Sequence, residues 1–292
     1  MSAGSYAVHV HAGTGFTDAE AFGGFLTSNA EAIARAGWDL ALCDSDDGAA
    51  TAAALASAGH GAGEGLLVSD ASLPGSARIL LEGRFYPDAR SRAAALARSI
   101  GREVARLVLV VQPYDAVFLR AWRSVPHRDG AEFVDLAPRL AQFDGGWLDV
   151  VSDLQEGLGA RRVIVLAAPQ EPRAILSHLV PGMAAEMLRP DTADSAVAAG
   201  FRAAMERLAA QGLRLAPGQR ERLMARHARL TRGIAPSVAR IEERLPAGFG
   251  FSGLPLADLR GRYVADLDSL SRLPGVSLIG GYSPARPALA AE

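Results

Sequence analysis

The loop at residues 11–18 carries residue types that can bind a phosphate or sulfate group. It follows an apolar run at residues 6–11 that predicts a strand, and it precedes a helical pattern that begins near Asp18. Such loops bind anions because their backbone N–H groups converge at the positive end of the helix dipole. Glycine allows close approach and threonine hydroxyls can donate, so the candidate ligand-binding residues are Gly13, Thr14, Gly15 and Thr17.

The same loop differs from the common phosphate-binding loop in two respects. No lysine follows its glycines, as one does in the G-x-x-x-x-G-K-[ST] pattern. Asp18 would repel an anion, although it is well suited to cap a helix. An ordinary strand–turn–helix connection explains the spacing as well as an anion site does, and both interpretations stay open.

Lysine is absent from the whole chain, so all 30 basic residues are arginine. A compositional bias explains this, since alanine, glycine and arginine are all abundant. The absence nevertheless excludes a phosphate-loop lysine and a lysine Schiff base.

Asp70 is the candidate acid–base residue. It follows a predicted strand at residues 65–69, and open parallel sheets bind ligands in the crevice at the carboxyl ends of their strands. We expect it to act as a base or to position a hydroxyl group, although it would also serve as a loop cap without any catalytic role.

The sequence predicts no metal site. His9 and His11 are two residues apart on one strand, so they point to the same side, but no third ligand is close in sequence. The carboxylates Asp44, Asp46 and Asp47 are typical of a solvated helix N-terminus.

Composition indicates a soluble cytoplasmic protein. The 292 residues carry a net charge of −2, which gives no basic excess for nucleic acid. We expect no membrane span and no signal peptide. The single Cys43 excludes an internal disulfide and lies in an apolar run, which predicts a buried, inert thiol.

Strands and helices alternate along the first part of the chain. Continuous apolar strands in this pattern predict an α/β fold, a parallel sheet flanked by helices. The predicted strands are 6–11, 38–43, 65–69, 106–111 and 162–166, and the predicted helices between them are 18–36, 44–58 and 88–101. Asp44 or Ser45 is the expected cap of the second helix.

The second part of the chain has a helical pattern. Helices are predicted at 196–211, 217–232 and 255–273, and a turn at 273–275 leads into a short strand. We therefore divide the chain into an α/β core at 1–185, a helical C-terminal extension packed on it at 186–280, and a flexible tail at 281–292.

The chain resembles the bacterial sulfotransferase family, whose members are P-loop-like α/β proteins. Family chains open with a strand, then H-x-G-x-H-K-T-G-T-T, then a helix ending F-L-x-x-N-x-x-x-L-A-x-A-G; residues 25–37 here read FLTSNAEAIARAG. Residues 86–89, 108–115 and 262–278 also resemble family segments. The resemblance implies a P-loop-like core that would use 3′-phosphoadenosine 5′-phosphosulfate as sulfuryl donor, if the protein is active.

The positions that would hold this donor are altered. In the family a lysine in the loop stabilises the charge that develops during transfer; here that position falls on Phe16 or on Gly13, depending on the register. The family also has an arginine after the longest strand and a serine eight residues later. Gln112 and Arg120 stand at these two positions, and Arg120 could supply positive charge instead.

Two functions remain open within this resemblance. The favoured one is a degenerate, non-catalytic relative that requires no cofactor; the alternative is an active sulfotransferase that acts on a hydroxyl or amine of an unknown small-molecule or glycan acceptor. An unrelated phosphate- or nucleotide-binding protein is a third possibility. The arginine-rich helix predicted at 217–232 is a candidate surface for an acidic protein partner or an anionic glycan, and a solvated helix face explains it equally.

Overall fold

The structure is a computed structural model that describes residues 6–14, 19–58, 63–124, 136, 139–167, 171–189 and 256–281. Gly15 and Thr17 of the candidate loop lie outside the described residues. So do the predicted helices at 196–211 and 217–232, and with them the proposed partner surface.

The described residues form six strands, and all of the predicted strands are confirmed within about two residues at either end. Four of them are largely buried on both faces of the sheet, which explains why they were visible as apolar runs, whereas the two edge strands have exposed apolar residues, Leu42 and Ile279. The strands are β1 (Ala7–Ala12), β2 (Trp38–Cys43), β3 (Gly65–Asp70), β4 (Val104–Val111), β5 (Val163–Ala167) and β6 (Val276–Ile279).

Helices connect the strands in chain order. They are α1 (Ala19–Ser28), α2 (Ala30–Arg35), α3 (Gly48–Ala58), α4 (Ala77–Leu81), α5 (Ala89–Ile100), α6 (Tyr114–Ser124), α7 (Trp147–Leu158), α8 (Pro172–Leu179) and α9 (Leu256–Leu270), with a 3₁₀ turn at Ala185–Met187. None of the helices in the described ranges is long and apolar enough to cross a membrane.

The predicted helix at 18–36 is in fact two helices, separated at Asn29. The buried Asn29 amide donates to the Phe25 carbonyl at 2.9 Å and accepts from the Arg189 amide at 2.7 Å. An asparagine side chain that competes for backbone groups in this way interrupts the regular helical pattern.

The predicted cap of α3 was also wrong. Asp44 and Ser45 precede the helix by several residues, and the Asp47 carboxylate accepts from the Ala50 amide at 2.9 Å. Asp47 is therefore the residue that satisfies a free N–H group of the first turn.

The sheet is parallel throughout, in the order β2-β3-β1-β4-β5-β6. This confirms the predicted fold class, an α/β protein with a P-loop-like parallel sheet flanked by helices. β1 lies in the interior of the sheet, between β3 and β4. The predicted C-terminal strand is confirmed as β6, which pairs with β5.

Two hydrophobic clusters cover the two faces of the sheet. Val8 and Val10 of β1 belong to the cluster that includes α3, α5, α6, α7 and α9. The other cluster joins α1, α2 and α8 to the opposite face, through residues such as Phe22 and Val108. His9 and His11 alternate with the valines, so they fall on the face that α1 and α8 cover.

Candidate functional site at the carboxyl edge of the sheet

The chain changes direction between β1 and β4. From β1 it passes through α1 and α2 on one face to reach β2, whereas from β4 it passes through α6 and α7 on the other face to reach β5. Two connections that leave neighbouring strands in opposite directions open a crevice, and open α/β sheets bind their ligands at such switch points. The candidate site is therefore the switch-point crevice, with Gly13 and Thr14 after β1 and Gln112 after β4.

Gln112 is buried, with 2% of its surface exposed. Its backbone carbonyl accepts a hydrogen bond from the Trp147 indole N–H at 2.8 Å. Among the residues that the structure describes, its side-chain amide has no hydrogen-bond partner at either the nitrogen or the oxygen. Each such buried, unpaired group costs about 1–3 kcal/mol of stability, so both ends of this amide call for an explanation.

The pleat of β4 indicates the side on which Gln112 stands. Leu107, Leu109 and Val111 belong to the cluster that packs under α6 and α7, while Val108 belongs to the opposite cluster and Val110 packs against it. Continued alternation places Gln112 on the face of α1 and α8. This is the face on which the chain passes from β1 into α1.

The start of the β1 loop is held by two backbone contacts. The Gly13 N–H donates to the Asp70 carbonyl at 2.7 Å, and the Thr14 carbonyl accepts from the Tyr86 hydroxyl at 3.2 Å. The Gly13 N–H thus extends the pairing of β1 with β3 and is not offered to an anion. The predicted cradle of N–H groups would have to be formed by later residues of the loop, which lie outside the described part.

Asp70 is fully buried at the end of β3, and its carboxylate accepts several hydrogen bonds. The Ser45 hydroxyl and the Ser72 amide, the latter at 3.0 Å, donate to it. The Ser45 amide lies farther away, at 3.4 Å. Asp70 therefore ties the loops after β2 and β3 together, which is the loop-capping role that the sequence left open.

Burial raises the pKa of the Asp70 carboxyl above its ordinary value. The hydrogen bonds from Ser45 and Ser72 lower this pKa and the charge of Asp44 raises it, but desolvation is the largest contribution. A raised pKa at the carboxyl edge of a sheet is also what a general base would have, so the acid–base prediction for Asp70 stays a prediction.

A pocket of about 340 Å³ opens beside these loops. Its lining includes Gly75, Ser76, Tyr86, Asp88 and Arg92. The Arg92 guanidinium is already occupied, because it donates to the carbonyls of two residues in the loop after β3 and pairs with Asp46 at 2.8 Å. The pocket therefore has room for a small ligand, but its arginine is committed to protein groups.

Tyr86 links the pocket to the switch-point crevice. Its ring lines the pocket and its hydroxyl reaches the Thr14 carbonyl. The residue has φ of 52°, in the left-handed region that a bulky side chain rarely adopts. Backbone strain of this kind is often found at ligand sites, where the surrounding structure maintains it. The residue types around position 86 do not indicate this role, and residues 86–89 stand out only through the resemblance.

Both strand histidines are buried and have partners. The His11 Nδ1 lies 3.0 Å from the Ser69 hydroxyl, and its ring packs on Phe22. The His9 Nδ1 is hydrogen-bonded to the Leu179 carbonyl, and its ring packs on Trp38. Burial lowers the pKa of both imidazoles, that of His11 to about 3, so His11 is a neutral core residue.

The three carboxylates after β2 each have separate partners. Asp44 accepts from Ser72, Asp46 pairs with Arg92, and Asp47 caps α3. Within the described ranges, no group of three or more His, Cys, Asp or Glu side chains is arranged to hold a metal ion. Arg120 lies on α6 and is partly buried.

Comparisons with protein families, with curated proteins and with solved structures find no match for this chain. The resemblance to sulfotransferases therefore depends on the sequence pattern alone, and the function has to be argued from the site.

Proposed function

We propose that the protein is a degenerate member of the sulfotransferase family, which keeps the α/β scaffold for ligand binding and does not transfer a sulfuryl group. The observation that carries the proposal is Gln112. It stands at the switch point where the resemblance implies a phosphate-binding arginine, and its buried amide has no hydrogen-bond partner in the part of the chain that the structure describes.

The loss of charge at this position is the first supporting argument. An arginine would contact a phosphate through two charge-assisted hydrogen bonds, whereas a glutamine offers one neutral NH₂ group and one oxygen that repels the anion. The lack of lysine removes the second cation that the resemblance implies for the loop. The 3′-phosphate and the 5′-phosphosulfate of the donor would therefore meet neither of the two cations that the resemblance implies.

The environment of Asp70 is the second supporting argument. A general base must lie within hydrogen-bond reach of the proton that it removes. The Asp70 carboxylate is fully buried and is bonded to Ser45 and Ser72, so it is engaged in joining loops. Its position favours a structural role.

The experiment is a calorimetric titration with adenosine 3′,5′-bisphosphate, the product that shares the donor's nucleotide. We expect no binding tighter than roughly millimolar, equivalent to about −4 kcal/mol. Micromolar affinity in the unaltered protein would contradict the proposal, because it would mean that a working donor site exists.

A charge-restoring variant makes the test sharper. Gln112→Arg, alone or with Phe16→Lys or Gly13→Lys, should raise the affinity for the bisphosphate at least tenfold if the scaffold still has the donor geometry. The matched control is Gln142→Arg, which adds the same charge at an exposed glutamine. An equal response of the two arginine variants would indicate a non-specific effect of charge and would count against the alignment.

The active enzyme is the second candidate, and the raised pKa of Asp70 is the observation in its favour. In that case labelled sulfate from 3′-phosphoadenosine 5′-phosphosulfate should appear on a hydroxyl or amine acceptor, and the 340 Å³ pocket offers room for a small one. If the Asp70→Asn variant folds normally but no longer transfers the sulfuryl group, the result would favour an active enzyme over a degenerate relative.

A further inference from the structure

We propose that the switch-point crevice recognises a neutral planar group with a hydrogen-bond acceptor and an N–H donor side by side, and that the side-chain amide of Gln112 binds this group. The edge of a nucleobase and a carboxamide both have this chemistry. The inference deepens the proposed function and rests on it, since it names what the crevice binds in place of a phosphate.

The unpaired side-chain amide of Gln112 is the first observation that supports this proposal. A glutamine side chain has two donors on its nitrogen and two acceptor sites on its oxygen. Neither atom of the Gln112 amide is paired with a residue of the described ranges, and neither is exposed to solvent. A methionine or leucine of similar size would avoid this cost in an apolar site, so a polar head at this position indicates a partner that the described residues do not supply.

The chemistry of that partner follows from the two unpaired atoms together. An anion would accept a hydrogen bond from the amide nitrogen but would be repelled by the amide oxygen. A cation would be attracted by the oxygen but repelled by the N–H groups. A neutral edge with an acceptor beside an N–H satisfies both atoms at once, as when glutamine pairs with adenine through two hydrogen bonds. The ligand is therefore neutral where it meets Gln112.

The surroundings of Gln112 hold its backbone in place. The Trp147 indole N–H fixes its carbonyl at 2.8 Å, and Trp147 itself is fully buried at the first position of α7. Tyr86 similarly fixes the Thr14 carbonyl across the crevice. A rigid backbone on both sides lowers the conformational entropy that a ligand must overcome on binding.

Because the two amide atoms have no exposed surface, a ligand reaches them only when the residues that cover them move apart. Binding therefore requires a local opening of the crevice. We expect association to be much slower than diffusion allows, because a conformational change has to accompany binding.

The experiment is a calorimetric and thermal-shift screen of the intact protein with uncharged probes. Adenosine, guanosine, cytidine and uridine present base edges, and nicotinamide presents a carboxamide without a nucleobase. We expect at least one of the five to bind with a dissociation constant below about 1 mM, equivalent to −4 kcal/mol. Binding of nucleosides but not of nicotinamide would indicate that the site recognises a base edge. Binding of nicotinamide as well would indicate that a carboxamide is sufficient.

Two variants link the binding to Gln112. Gln112→Met keeps the size and removes the polar head, and Gln112→Glu keeps the shape and removes the donor. Each should weaken the probe at least tenfold, and Gln112→Met should also raise the midpoint of thermal unfolding because a buried unpaired amide is gone. The control is Gln142→Met at an exposed glutamine, which should change neither quantity.

The outcomes separate this inference from the proposed function. If no neutral probe binds, or if binding persists in both Gln112 variants, the inference is wrong even when the bisphosphate also fails to bind. If the bisphosphate binds at micromolar concentration and at least tenfold more tightly than adenosine, its phosphates are bound and the proposed loss of the donor site is wrong, whatever the neutral probes do.

Discussion

The Tyr86 hydroxyl donates a hydrogen bond to the Thr14 carbonyl at 3.2 Å and so connects two loops that are 72 residues apart in sequence. Tyr86 is fully buried, and its backbone has the left-handed φ of 52°. The contact places an unusual backbone conformation directly beside the start of the β1 loop. A variant that removes this hydrogen bond therefore tests how much it contributes to the site.

Replacing Tyr86 by phenylalanine should loosen the start of the β1 loop. Tyr86→Phe keeps the ring but leaves the buried Thr14 carbonyl without this donor, which should cost about 1–2 kcal/mol of stability in a urea titration. The control is Tyr263→Phe, which removes a similar hydrogen bond to the Val111 carbonyl. Hydrogen exchange at the Gly13 amide should accelerate only in the Tyr86 variant; equal acceleration in both would contradict a local role for Tyr86.

Asp70 should make the protein less stable as the pH rises. Because the folded-state pKa lies above the ordinary value of 3.8, the folded protein binds more protons than the unfolded chain in the interval between the two values. The stabilisation from this group is thus present at low pH and lost as the pH rises through the folded pKa.

Asp70→Asn tests this pH dependence, because asparagine resembles the protonated acid and still offers an oxygen to the Ser72 amide. The stability of the variant relative to the unaltered protein should increase between pH 4 and neutral pH in urea titrations. Asp88→Asn is the control, at an exposed aspartate. A constant difference between Asp70→Asn and the unaltered protein over this range would show that the burial of Asp70 does not shift its pKa.

His11 should have the opposite effect on stability. Its pKa is lowered from 6.5 to about 3 by burial, so between these values the unfolded chain binds a proton that the folded protein does not. The stabilisation from neutral His11 is present above about pH 6.5 and is lost as the pH falls towards 3. Ring resonances followed by NMR should show no titration of His11 between pH 8 and pH 5, and a transition near pH 6.5 would contradict its burial.

The four inner strands were predictable because they are short runs of mostly apolar, buried residues. β2 occupies residues 38–43 as expected, and β4 begins two residues before the predicted 106. The short helices α4 and α8 were missed, since α4 has only five residues and the apolar positions of α8 span two turns. The break at Asn29 depends on the Arg189 amide, which is distant in sequence.

The positions of Gln112 and Asp70 at strand ends were predictable from the sequence, but the contacts of their side chains were not. Gln112 could be located because it follows the most apolar strand, yet its unpaired amide is a property of everything that surrounds it in the fold. Asp70 could be placed at the end of β3, but its bond to the Ser45 hydroxyl joins loops 25 residues apart. Tertiary contacts of this kind leave no local pattern in a sequence.

Cys43 should be inert in the folded protein. It is buried at the end of β2, and burial together with the nearby charge of Asp70 raises the pKa of its thiol to about 12. Since the thiolate is the reactive form, labelling by a disulfide reagent at pH 7.5 should be very slow in buffer and complete in denaturant. Cys43 is the one thiol in the sequence, so rapid labelling without denaturant would show directly that this edge of the sheet is open.

Asp266 should be the residue that secures α9 to the start of α7. Its Oδ2 accepts from the Trp147 amide at 2.8 Å and from the Tyr114 hydroxyl, so a carboxylate from one helix satisfies a free N–H at the positive end of another. Asp266→Ala should therefore lower the free energy of unfolding by about 2 kcal/mol. The control is Asp268→Ala, two residues further along α9, which removes only an exposed ion pair with Arg272 and should cost less than about 0.5 kcal/mol.

Because Trp147 also holds the Gln112 carbonyl, the Asp266 variant should in addition weaken the binding of any probe that binds through Gln112. Similar losses of stability in the two alanine variants would mean that α9 is held mainly by its apolar face and not by this carboxylate.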